Sequence, residues 1–76
     1  MQEDEVLDTT GLRCPKPILK AKMALRELST SQVLHVISTD PASEADFRVF
    51  AKQTGHKLLE SKAEDGCFHF WIQKQH

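Results

Sequence analysis

Apolar positions along this chain recur with two periods, and their alternation lays out six elements. Residues 4–9, Asp4 to Thr9, read as a short first strand that Gly11 ends. From Pro15 to Leu28 the period is helical, with Ile18, Ala21, Leu25 and Leu28 on one stripe. Ser29-Thr30-Ser31 interrupts that helix, and Val33 to Thr39 is apolar and β-branched enough for a buried strand. Asp40-Pro41 predicts the start of a second helix, with Asp40 as N-cap and Pro41 at the first position. Phe47, Phe50, Ala51 and Thr54 form its apolar stripe, and Gly55 is its stop. Lys57 to Lys62 and Cys67 to Lys74 read as third and fourth strands, joined as a hairpin through Glu64-Asp65-Gly66.

The order is therefore β-α-β-α-β-β. Each strand–helix–strand unit implies a parallel pair with a right-handed crossover, and the closing hairpin adds an antiparallel pair. Two helices on a four-stranded mixed sheet predict a two-layer α/β (α+β) sandwich, with both helices packed on one face and the other partly open. The last strand fits such a sheet. Phe68, Phe70 and Ile72 share one side, and Cys67, His69, Trp71 and Gln73 share the other.

At 76 residues the chain is long enough for one domain, 1–76, with a thin core and little room for a deep cofactor pocket. A formal net charge of −1 argues against a surface built to coat nucleic acid. The start, Met1-Gln2-Glu3-Asp4-Glu5, is acidic with no apolar run behind it, unlike a signal peptide. No segment approaches the ~20 apolar residues that span a bilayer. Two cysteines far apart in sequence do not make a disulfide scaffold, so a cytoplasmic chain with reduced thiols is expected.

The chemistry concentrates at Gly11-Leu12-Arg13-Cys14-Pro15-Lys16-Pro17. Proline suits the first turn of a helix, so the segment places one thiol at a helix N-terminus. Free backbone N–H groups, the helix dipole and the cations Arg13 and Lys16 all favour thiolate there, and a lowered thiol pKa is expected. Pro15 and Pro17 stiffen the turn. A dithiol redox centre needs a second cysteine where Pro17 stands. A cysteine protease needs an activating histidine, and none of the four is spaced to serve. A surface thiolate with no base and no cofactor suits a carrier that takes up a sulfur, holds it and presents it elsewhere. Cys67 reads as a packed or half-exposed strand residue. Cys14, Cys67 and the scattered histidines lack the paired spacing of a metal site, so no metal is expected.

Charge distribution says more than its sum. Arg13, Lys16, Lys20, Lys22 and Arg26, half of the ten basic residues, lie on or beside the first helix. Leu19 and Met23 fall among them near the cysteine end. Lys16, Leu19, Lys20 and Met23 thus make a candidate docking surface for an acidic partner, against the plainer reading of a solvated helix face. Trp71 and His69 read as sheet packing or a protein contact, because an RNA-binding sheet would carry more aromatic and basic residues.

Leu7-Asp8-Thr9-Thr10-Gly11-Leu12-Arg13-Cys14-Pro15-Lys16-Pro17, with its Cys-Pro-x-Pro core and with Asp40-Pro41 downstream, resembles the signature of the TusA/SirA-like sulfur-carrier family. The likeness runs over roughly residues 6–74. It implies the same two-layer β-α-β-α-β-β sandwich. It also implies that Cys14 accepts sulfane sulfur from a cysteine desulfurase as a persulfide and passes it to the thiol of a downstream relay protein. In one branch the relay ends in 2-thiolation of the tRNA wobble uridine, with the RNA handled by later partners. Other branches serve the molybdenum cofactor or sulfur oxidation, and a regulatory module with an incidental cysteine is the remaining alternative. By the same likeness Pro15 and Pro17 shape the turn that bears Cys14 and the pyridoxal cofactor belongs to the desulfurase, while the charges of Arg13 and Lys16 are expected to support the thiolate or persulfide.

Overall fold

The computed structural model describes residues 2–76. Its elements are β1 (Glu5–Thr9), α1 (Lys16–Glu27), β2 (Val33–Ser38), α2 (Ser43–Thr54), β3 (Lys57–Glu64) and β4 (Cys67–Gln73), in the order expected. The strands form one four-stranded sheet in the order β1-β2-β4-β3.

β1 and β2 are the expected parallel pair, with Leu7 opposite Val36. β2 and β3 are not neighbours, although their intervening helix suggested a second parallel pair. β4 inserts between them, antiparallel to both. Burial explains the difference. β4 carries Phe70 and Ile72, both fully buried or nearly so, and belongs in the middle of the sheet. β3 is the edge, paired on one side only, exposed along most of its length and rich in charge, as suits an edge strand. The β3–β4 hairpin is tighter than expected because β3 runs on to Glu64. Asp65 and Gly66 alone make the turn, at φ 51° and 78°, the positive pair that a two-residue hairpin of matching twist requires.

Both helices lie on one face of the sheet. Ala21 and Leu25 of α1 and Phe47 and Phe50 of α2 meet Leu34, Val36, Phe70 and Ile72 from the strands. Leu7, Ile18, Leu28 and Phe68 close the periphery. Phe47 stacks on Phe70 with ring centroids 4.6 Å apart and meets Phe50 edge-on.

The opposite face is open and carries an aromatic row. The His35 ring stacks on Trp71 at 4.4 Å, and His35 Nε2 lies 2.9 Å from His69 Nδ1. Glu3 Oε1 accepts from the Trp71 indole N–H and lies 3.7 Å from His35 Nδ1. Burial holds the His35 pKa below its ordinary value despite the nearby carboxylate. Trp71 and His69 are thus occupied by packing within the sheet. No helix among the described residues is long and apolar enough to cross a membrane.

Candidate functional site

The loop that leaves β1 folds on itself before α1 begins. Asp8 Oδ1 accepts from the Thr10 amide, and Leu12 N–H returns to the Thr9 carbonyl. Gly11 sits at φ 84°, left-handed backbone that a side chain disfavours, and donates to Thr39 Oγ1 at the end of β2. A turn from Arg13 to Lys16 follows, closed by a 2.8 Å backbone bond. Cys14 stands exposed in this turn, with a cis peptide bond to Pro15. Pro15 occupies the cap position of α1, so the expected placement of a thiol beside a helix N-terminus holds. Pro17 is buried and anchors the first turn of the helix.

Asp40 has a different part from the one its sequence suggested. α2 begins at Ser43 with Ala42 in the cap position, and Asp40-Pro41 form the turn before it. Asp40 Oδ1 accepts from the Ala42 amide, while Oδ2 reaches across to the Cys14 amide at 2.5 Å. Asp40 is itself held from beneath, its amide donating to Ser38 Oγ, which shares a buried 2.6 Å hydrogen bond with Ser43 Oγ. The two backbone donors, with Arg13 assisting, keep the Asp40 carboxyl below its ordinary pKa. One carboxylate thus ties the cysteine turn to the start of the second helix.

The thiol does not have the electrostatics expected of it. Asp46, one turn into α2, lines the same groove as the Cys14 thiol, and its carboxylate, with that of Asp40, opposes ionisation. The Cys14 pKa is therefore raised from the ordinary thiol value, not lowered. Arg13 and Lys16 do not offset this. Arg13 acts on Asp40 instead, and Lys16 belongs to the outer face of α1. A carboxylate brought from 32 positions downstream is not visible in the local motif.

Three depressions surround this turn. One of about 600 Å³ is floored by Gly11 to Cys14 on one side and Thr39 to Ala42 on the other. A second, of about 430 Å³, is the groove between the helices and has Cys14, Lys22, Asp46 and Gln53 among its walls. Cys14 lies at the junction of the two. The third, of about 400 Å³, joins Leu12, Lys16, Leu19, Lys20 and Met23. Leu19 is 50% and Met23 62% exposed. The structure therefore brings the four candidate docking residues together in one cationic, apolar hollow beside the cysteine turn. Cys67 stands apart, half-buried on the open face of the sheet, and both cysteines are free thiols. Among the described residues no group of three or more His, Cys, Asp or Glu side chains could hold a metal ion.

Comparison with known proteins adds to this geometry. A family model described as Sulfurtransferase TusA matches residues 5–74. The chain is 61% identical to the sulfur carrier protein TusA of Allochromatium vinosum, over 93% of each chain. It is 45% identical to a putative sulfur carrier protein of Bacillus subtilis, YrkI, over 97% of this chain and 99% of that one. Among solved structures, a SirA-like protein from Desulfitobacterium hafniense superposes with a TM-score of 0.82 at 27% identity, covering 95% of this chain and 99% of the other.

Proposed function

Because this chain belongs to the TusA family of sulfur carriers, we propose that Cys14 is the residue that carries the sulfur. It accepts sulfane sulfur from a cysteine desulfurase as a persulfide and passes it to an acceptor thiol on a downstream relay protein. The observation that carries this reading is the single exposed thiol on a braced turn. Cys14 is open to a partner, yet Asp40, Pro15 and Pro17 hold its backbone in place. A carrier needs both properties, since a donor must reach the sulfur and an acceptor must find it in the same place. Among the residues described, none beside the thiol forms the histidine pair that would make it a hydrolase. The desulfurase, with its own pyridoxal cofactor, performs the carbon–sulfur cleavage, and the carrier works in the cytoplasm.

We assign the route to 2-thiouridine at the tRNA wobble position, with the RNA bound by later partners. The near-neutral chain, net −1, supports a carrier that meets proteins and not nucleic acid. In a strain lacking its own carrier, the wild-type chain is expected to restore 2-thiouridine in tRNA hydrolysates, and Cys14→Ser to restore none. Restoration by Cys14→Ser would overturn the role of the thiol. A wild-type chain that takes up sulfur yet restores no thiouridine would send the relay to another acceptor.

The hollow of Lys16, Leu19, Lys20 and Met23 is the docking surface in this reading. Its apolar pair supplies contact area and its lysines select an acidic partner. Reversing both lysines, as Lys16→Glu with Lys20→Glu, replaces two weak attractions by repulsions of similar size. At ~0.2–1 kcal/mol each, affinity for the desulfurase should fall about tenfold at low salt, and the difference should shrink at high salt. Titration calorimetry of the two proteins reads this directly, and unchanged affinity at low salt would move the partner elsewhere.

A further inference from the structure

We propose that Ser38 and Ser43 are positioning residues for sulfur transfer, acting on Cys14 through Asp40, an inference that rests on the carrier reading above. Ser38 is the last residue of β2 and Ser43 the first of α2, and both are buried. Their hydroxyl oxygens lie 2.6 Å apart, so they pin together the two ends of the turn that carries Asp40. Ser38 Oγ also accepts from the Asp40 amide at 3.1 Å, and the Ser43 amide donates to the Asp40 carbonyl at 3.0 Å. Asp40 Oδ1 accepts from the Ala42 amide. The amide, the carbonyl and one carboxylate oxygen of Asp40 are thus committed to its own turn, and the remaining oxygen, Oδ2, is aimed at the Cys14 amide. A neighbouring bond spans the same gap, from the Gly11 amide to Thr39 Oγ1 at 2.9 Å.

The hydroxyl pair supplies direction. Exchanging both partners of a buried hydrogen bond for apolar groups of the same shape is close to neutral, so these hydroxyls are not needed merely to fill the core. The cysteine turn, by contrast, has no packing to hold it. No residue from Thr10 to Lys16 is buried, and the first buried side chain after Thr9 is Pro17. The place of the turn against the rest of the molecule is therefore set by its polar struts to the β2–α2 turn. Docking through the hollow on α1 fixes that helix against a partner, and a rigid Asp40 then fixes where the sulfur stands beside it. A misplacement of about 1 Å costs up to roughly a hundredfold in rate.

The test measures transfer from a cysteine desulfurase to the chain with and without Ser38→Ala, both in a Cys67→Ser background so that one thiol reports. The substitution changes no charge and leaves the thiol and the docking hollow in place. A melting transition above the assay temperature establishes that the variant folds. Turnover at saturating carrier should fall roughly tenfold, with KM for the carrier unchanged. Alkylation of Cys14 by iodoacetamide should keep its pH profile, because the charges around the thiol are the same. The Cys14 amide should exchange with solvent several-fold faster, while the Leu12 amide, bonded within its own loop to the Thr9 carbonyl, should not. In an Asp40→Ala background, Ser38→Ala should cause no further loss of turnover, as expected of two residues that act in series. Ser43→Ala spares the acceptor of the Asp40 amide and should cause a smaller loss; it carries the test, under the same criteria, if Ser38→Ala does not fold. Wild-type turnover in a folded variant, or an equal loss in the Asp40→Ala background, overturns the proposal and leaves the carrier reading intact. So does a raised KM at unchanged turnover, which would show that the pair serves docking. A parent chain that takes up no sulfur from an active desulfurase overturns the carrier reading, and the proposal with it.

Discussion

Incubated with a cysteine desulfurase and cysteine, the wild-type chain should gain a reducible mass of about 32 Da, one sulfur added to a thiol. Cys14→Ser should gain none, and Cys67→Ser should gain as much as wild type. The difference is close to all-or-none, because an exchange of sulfane sulfur requires a sulfur nucleophile and a serine hydroxyl does not supply one. It should also be free of any stability effect. Cys14 is exposed, and the contact that holds its turn is made by its backbone amide to Asp40, which serine retains. The prediction for Cys67 rests on place. It lies on the open face of the sheet, across from Glu64, while the helices and the cysteine turn lie on the other side. A redox protein cycling through a Cys14–Cys67 disulfide would instead lose its activity in both variants. Intact-protein mass spectrometry with and without reductant separates these outcomes, and an adduct that survives Cys14→Ser would mean that the other thiol carries the sulfur.

How much of this was legible in the sequence depends on the range of the interaction. Both helices, all four strands and the Asp65-Gly66 turn follow from local patterns, because each is specified by neighbours within a few positions. Strand order was not legible. Whether β3 or β4 lies beside β2 is decided by contacts across the sheet, and nothing in the hairpin alone states which arm is central. Hydrophobic content offered a clue, since Cys67-Phe68-His69-Phe70-Trp71-Ile72 is far more apolar than Lys57-Leu58-Leu59-Glu60-Ser61-Lys62. Asp40 shows a subtler limit. An aspartate before proline can cap a helix or close a turn of its own, and both use the same carboxylate on nearby amides. Here it closes the turn, and the oxygen left over holds Cys14.

The electrostatics of Cys14 is the clearest case of a local argument overruled. The motif contains two cations and no acid, and taken alone it favours a thiolate. Folding turns Lys16 to the outer hollow, commits Arg13 to Asp40, and delivers Asp46 from the second helix. The helix dipole that remains is worth only ~0.3–1 kcal/mol, too little to outweigh two nearby carboxylates. The only hint in the sequence was the place of Asp46 immediately before Phe47, on the edge of the stripe that turns α2 toward the core and toward α1. A protonated resting thiol also suits an exposed cysteine in a carrier. It is slower to be alkylated or oxidised between donors, since the thiolate is the reactive form.

That arrangement depends on α2 being seated, so the second large effect is expected at Phe47. Its ring is fully buried, stacked on Phe70 and edge-on to Phe50, and it is the main tie between α2 and the centre of the sheet. Phe47→Ala removes those contacts and leaves a cavity in a core that, among the described residues, clusters eight buried side chains. Such truncations cost about 3–5 kcal/mol. At ~0.05–0.15 kcal/mol per residue, a domain of this length holds only about 4–11 kcal/mol in total. Phe47→Ala should therefore lower the melting temperature by roughly 15–30 °C and leave a measurable unfolded fraction. Val49→Ala, on the exposed side of the same helix at 50% exposure, should change stability by no more than ~0.5 kcal/mol. Thermal melts by circular dichroism read both. A Phe47→Ala chain melting within a few degrees of wild type would mean that α2 is held by its ends and not by this ring. In that case Asp46 would owe its position beside Cys14 to the Asp40 turn alone.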